Sequence, residues 1–300
     1  AGVVSGDDYT GGLTGYSYNS LEITASANNV NVTGDNYTGG YIGYARTTAT
    51  IRKAVNNKTI TGKAYVGGIV GYGVSTTLHY CENYGEINST ATITESDVAY
   101  SYVGGLAGYC ASINNGKNTV NITGTGYRVG GLAGYVNGAI TNSQNEGDVS
   151  GNNYTGGLGG YVTGNIVNCN NAGAVTGKAY TGGLAGYFSG SKLETTKNEG
   201  TINGDNYCGG LLGYSYNVLE ASASENKADV KGGNYTGGYI GYTRTTSNLR
   251  EAVNRNKVEG KAYIGGIVGC GYSSNLYYCE NYGTIVSTAT ITESDVAYSY

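Results

Sequence analysis

The pattern Tyr-Thr-Gly-Gly-Leu-x-Gly-Tyr returns ten times along this chain, and any fold must give the copies equivalent places. The second Gly of the pair falls at Gly12, Gly40, Gly68, Gly105, Gly131, Gly157, Gly183, Gly210, Gly238 and Gly266, at spacings of 28, 28, 37, 26, 26, 26, 27, 28 and 28. Self-similarity at a fixed period of this length is the signature of a repeat architecture. The copies fill residues 1–300 as one continuous region and leave no room for a second domain.

Aligned, the copies give columns of like residues. An apolar column follows the double Gly: Leu13, Tyr41, Ile69, Leu106, Leu132, Leu158, Leu184, Leu211, Tyr239 and Ile267. A tyrosine column comes next: Tyr16, Tyr44, Tyr72, Tyr109, Tyr135, Tyr161, Tyr187, Tyr214 and Tyr242, broken only at Cys270. After a second apolar column (Ile23, Ile51, Leu78, Ile113 and their counterparts) an Asn stands in every copy: Asn28, Asn56, Asn83, Asn118, Asn145, Asn171, Asn198, Asn226, Asn254 and Asn281. Four residues on is a β-branched residue, from Val32 to Ile285.

Each copy thus holds three short apolar stretches separated by Gly, Asn, Asp and Ser, and no 3.6-residue period is sustained. Short strands joined by turns fit this pattern. The sequence contains no Pro, which suits a fold whose backbone donors are spent in ladders. The expectation is an all-β chain: a parallel β-solenoid of about ten rungs of 26–28 residues, with three short strands per rung. At roughly 4.8 Å per rung the rod would be about 48 Å long.

Stacking gives the columns their meaning. Asn above Asn can bond amide to amide, as in cross-β ladders, so the Asn column is expected inward; the alternative is a row of solvent-facing turn residues. A strand's period of two places Leu13 and Tyr16 on opposite faces. With Leu13 inward, the tyrosine column faces out, beside a mostly apolar column of Thr14, Ile42, Val70, Ala107, Ala133, Gly159, Ala185, Leu212, Ile240 and Val268. Such a stripe would be a contact surface. The alternatives are that loops cover it or that a Gly bend breaks the alternation.

A longer period overlies the short one. Residues 89–102 return unchanged at 287–300, an offset of 198, so seven rungs form a block. Each block has one long rung, with inserts near 88–101 and 286–300. Both ends of the chain cut into a repeat, and neither carries a cap such as an amphipathic helix or charged cluster. The expectation is a segment of something longer, its coil continued by the parent chain or by chains stacked end to end.

The string Ile-x-Asn-Cys-x-Asn-x-Gly-x-Val-x-Gly-x-x-Tyr-x-Gly-Gly-Leu-x-Gly-Tyr is nearly whole at 166–187 and resembles the GLUG repeat, whose Gly-Leu-any-Gly core is here Gly131-Leu132-Ala133-Gly134 among others. Copies at 39–44 and 237–242 depart, with Tyr in place of Leu. The resemblance implies a non-catalytic, extracellular region of a large bacterial surface protein, such as adhesin-like proteins or the repeat region of immunoglobulin-A-cleaving metallopeptidases. It carries no catalytic residues over to this chain.

Residue chemistry points the same way. The single His, His79, rules out a multi-His metal site or a His-based acid–base pair. Asp7, Asp8, Asp35 and Asp205 sit at a turn that carries Lys178 in another copy, which speaks against a repeated calcium site. Glu95, Ser96 and Asp97 in the long rung are a candidate cation cluster. Of six cysteines, Cys81, Cys169 and Cys279 share a column with Ser and Ala, and Cys208 shares one with Thr and Val, so most are expected reduced and buried; a Cys270–Cys279 bridge is the open alternative. The net charge of −4 provides no basic patch for nucleic acid. Apolar runs fall short of the ~18 residues of a membrane span.

The reading is therefore a structural or adhesive rod, part of a bacterial stalk, adhesin or filament. No enzyme activity and no cofactor is expected. Its partners would be itself or a host or matrix surface, and glycans in the alternative that the tyrosine stripe binds carbohydrate. A non-catalytic repeat region of a surface enzyme, a polysaccharide-degrading solenoid and an ice-binding solenoid using the Thr10 column are the other rivals.

Overall fold

A computed structural model describes residues 2–90 and 101–289. The chain there is all strand and turn, and every strand pairing runs parallel to the equivalent strand of the next copy. Val3–Ser5 pairs with Asn31–Thr33, and so on copy by copy to Ile285–Ser287. The result is a β-solenoid built on three sheets of 11, 10 and 24 strands.

A turn is divided more finely than three strands. In the fifth turn Arg128–Gly130, Ala133–Val136, Ile140–Thr141, Gln144–Asn145 and Val149–Ser150 are separate strands. The first lies in the second sheet, the last in the first sheet, and the middle three in the third. A corner at Asn142, with φ of 50°, divides two of them. Elsewhere the third sheet runs on without a break, as in Ile240–Asn254.

The register sets identical columns above one another. Val103 pairs with Val129 and Val129 with Thr155, Ile113 with Ile140, and Asn118 with Asn145. Two apolar clusters result. One holds the Leu106–Leu132–Leu158 column and the Ile113–Ile140–Ile166 column. The other packs the Ile122–Val149–Val175 column against Val66, Val103, Val129 and Cys208. At about 25 cal/mol per Å² of apolar surface buried, these stacked columns are the main source of stability.

The column expected beside the tyrosines on the outside is not there. Ile42, Val70, Ala107, Ala133, Ala185, Leu212 and Ile240 are all buried. The chain bends at the double Gly, so Leu132 and Ala133 both enter the core and alternation resumes only afterwards. Tyr41 and Tyr239, the departures from Leu, take the same buried position. The Tyr41 hydroxyl accepts from Val55 N at 2.9 Å, which compensates its burial.

The inserts near 88–101 and 286–300 fall largely on 91–100 and 290–300, outside the described residues, as do Glu95, Ser96 and Asp97. Among the described residues no helix is long and apolar enough to cross a membrane.

Candidate functional site

Two features run the length of the solenoid: an amide ladder inside it and an aromatic band on it. The Asn side chains form one hydrogen-bonded line. Asn28 Nδ2 donates to Asn56 Oδ1 at 2.8 Å, Asn56 to Asn83 at 2.8 Å, and Asn83 to Asn118 at 2.9 Å. The line continues through Asn145, Asn171, Asn198, Asn226 and Asn254 to Asn281. Each amide also donates to the carbonyl two residues on, as Asn145 does to Gly147 at 2.6 Å. Asn56 through Asn254 are fully buried. One side chain therefore satisfies its neighbours above and below and a turn carbonyl that would otherwise be orphaned.

Tyr16 through Tyr242 also form one line. Successive rings are nearly parallel: Tyr16–Tyr44 lie 5.1 Å apart at 2°, Tyr135–Tyr161 4.9 Å at 6°, Tyr161–Tyr187 4.5 Å at 16° and Tyr214–Tyr242 5.2 Å at 20°. Tyr16 is 43 % exposed, and the later members are half-buried.

Sequence reasoning missed a second line beside it. The first Tyr of the motif stacks as well: Tyr9–Tyr37 at 5.0 Å, Tyr37–Tyr65 at 4.7 Å, Tyr154–Tyr180 at 4.8 Å and on to Tyr263. Its rings stand edge-on to the first line, as in Tyr37–Tyr44 at 83° and Tyr235–Tyr242 at 83°, except Tyr102, which lies at 25° to Tyr109. The signal was present, since Tyr recurs there in every copy but the fifth. The fifth has Arg128, whose guanidinium lies 4.7 Å from the centre of the Tyr102 ring and 5.3 Å from that of Tyr161. Cation–π attraction lets it replace a ring in the line.

This geometry decides what the band can offer. Each ring inside the first line has a near-parallel neighbour on both faces, so its faces are covered and its edge points outward; the second line is interrupted where Tyr65 meets Tyr102 at 80° and Arg128 takes the next place. A sugar stacks on an exposed ring face; the interior of this band presents edges. Burial pushes the Tyr109 phenol up to about 12, and that of Tyr187 upward as well, each helped by neighbouring phenols.

The Thr10 column does not form an external array. Thr38, Thr155, Thr181 and Thr236 are fully buried, which removes the ice-binding reading. Thr10, Thr38, Thr155 and Thr236 donate to the carbonyl three residues back. All six cysteines are free thiols; Cys81, Cys110, Cys169 and Cys208 are buried, while Cys270 and Cys279 are half-buried and unbridged. Desolvation pushes the Cys81 thiol up to about 11 and that of Cys169 to about 12. His79 pairs with Arg52 and Asn114 in the third sheet, and desolvation and then Arg52 lower its pKa.

Among the described residues there is no group of three or more His, Cys, Asp or Glu side chains placed to hold a metal. A groove beside the Asn142 corner is lined by Asn142, Gln144, Asn168, Asn170 and Lys197, which bring amides and one ammonium together without a carboxylate pair.

The family model described as the GLUG motif matches residues 125–150, the length of one repeat. The repeat that this chain stacks is therefore the GLUG repeat. No curated protein matches the chain, and no solved structure does. The GLUG repeat in a β-solenoid fits a repeat-rich extracellular structural region.

Proposed function

We propose that the chain is a non-catalytic structural rod, a segment of a long bacterial surface protein that acts as a stalk, adhesin or extracellular filament. The observation that carries this is the unbroken Asn line from Asn28 to Asn281, which gives turn after turn the same cross-section. Copies of one cross-section stacked at roughly 4.8 Å convert sequence length into distance, which is what a spacer does. The carboxylates support the same reading. Asp35 pairs with Lys63, Glu146 with Lys117 and Glu199 with Lys197, each on a different turn and exposed. Each of these three is paired with a lysine rather than with the second carboxylate that glycoside hydrolysis uses. Partners would be further copies of the rod or a host or matrix surface.

Antibodies raised against the chain test this. Labelling of intact cells of the producing organism, on fibres extending from the envelope, is expected. Labelling only after the cells are permeabilised would overturn the reading.

A further inference from the structure

We propose that the paired tyrosine lines are an oxidative cross-linking site, where hydrogen peroxide and a one-electron oxidant of the haem-peroxidase class join tyrosines of successive turns as dityrosine. The first support is proximity. Tyr135, Tyr161 and Tyr187 follow one another at centroid distances of 4.9 and 4.5 Å. They hang from paired backbone positions one rung apart, about 4.8 Å. Turning two half-buried side chains about their χ angles brings their ortho carbons together. The second support is independent of geometry. The chain has no Met and no Trp, and four of its six thiols are buried. Of the side chains that yield an electron readily, an external oxidant meets the tyrosines and two half-buried thiols, Cys270 and Cys279, of which only Cys270 falls at a position of either tyrosine line, at its last turn.

The chemistry balances. Each of two phenols gives up one electron and its hydroxyl proton. The two radicals form one carbon–carbon bond between ortho positions, and each ortho hydrogen moves to its ring's oxygen, restoring both phenols. Peroxide takes the two electrons and two protons and leaves as two waters. The product is a covalent suture between neighbouring turns, laid along the rod axis. It is independent of the role proposed above, since it depends only on the fold.

The test sets proximity against exposure. Tyr272 and Tyr278 are 83 % and 78 % exposed and lie outside the stacked lines. Dilute chain is treated with limiting peroxide and a haem peroxidase, dityrosine fluorescence is followed, and the linked peptides are identified by mass spectrometry. Links within one molecule between ladder neighbours, Tyr135–Tyr161 and Tyr161–Tyr187, should outnumber links through Tyr272 and Tyr278 several-fold. Tyr161→Phe keeps the ring in the stack and should abolish those two links while leaving the others in place. Links concentrated on Tyr272 and Tyr278, links chiefly between molecules, or an unchanged map in Tyr161→Phe would overturn the proposal.

Discussion

A β-carbon on Gly131 would lie 2.4 Å from Cγ of Asn145 and 2.1 Å from the carbonyl oxygen of Gly157 in the next turn. The glycine column is thus set by the backbone of the next turn together with the amide line that packs on it. The same relation joins Gly105 to Asn118 and Gly157 to Asn171. Backbone conformation is not the reason, since no described glycine has a positive φ. In sequence the pair falls between the two apolar clusters on both strands: Gly131 between Val129 and Leu132, Asn145 between Ile140 and Val149.

Gly131→Ala should therefore be costly, because the obstacles are backbone and a buried amide. Overpacking of this kind costs about 1–3 kcal/mol or more. Gly159→Ala is the matched control: its column already holds Ala133 and Ala185, and its main obstacle is a methyl of Val162. It should change stability by less than about 1 kcal/mol. Urea midpoints of the two variants decide; equal effects would show that close approach of the next turn and the amide line does not select glycine.

Asn145→Leu breaks the amide line at its middle. It strands the Asn118 Nδ2 donor, the Asn171 Oδ1 acceptor and the Gly147 carbonyl. At about 1–3 kcal/mol per buried unpaired group, the loss should be about 3 kcal/mol or more. Asn281→Leu, at an exposed position with one ladder partner, should cost clearly less. A Tm for Asn145→Leu equal to that of the parent chain would refute the energetic role of the line.

What the sequence made legible was whatever stacking repeats. The Ile113, Asn118 and Ile122 columns can be read off because a solenoid forces every copy to solve the same packing problem. Alternation along a strand was a poorer guide. It put Ala107 and Val70 outside, and the bend at the double Gly put them in. The second tyrosine line escaped notice because a Tyr two residues before a Gly pair reads as the flank of a turn. The left-handed corners were invisible for a different reason. They hold Ala25, Lys53, Tyr80, Asn115, Thr195 and Glu251, so the usual glycine marker is absent.

Those corners give a stabilising substitution. Thr195 has a φ of 52°, which a β-branched residue adopts only under strain. The left-handed region costs an L-residue roughly 1–2 kcal/mol, against which Gly loses about 0.4–1 kcal/mol to unfolded-state entropy. The Thr195 side chain is exposed. Thr195→Gly should thus raise stability by up to about 1 kcal/mol, read as a higher urea midpoint. A lower midpoint would mean that the threonine makes a contribution at the corner that outweighs its strain.

Alkali should loosen the rod through its interior thiols. Desolvation raises Cys81 from the ordinary 9.0 to about 11, and Cys169 and Cys208 to about 12. Since the folded pKa is the higher one, the folded chain holds more protons between the two values. Stability is then whole below about pH 9 and falls as pH climbs from there toward 12. Each such thiol removes about 1.4 kcal/mol per pH unit while that window is crossed. Cys169→Ser isolates one share of the slope, because Ser143 and Ser224 occupy the same column and donate to the carbonyl two residues back, as Cys169 does to Val167. Urea unfolding at pH 8, 10 and 11 should show the parent chain losing stability more steeply than Cys169→Ser. The same burial should make Cys270 and Cys279 the first thiols to react with a disulfide reagent in the folded chain. Equal slopes for the two chains, together with six thiols reacting at one rate, would mean that the interior column is open to water.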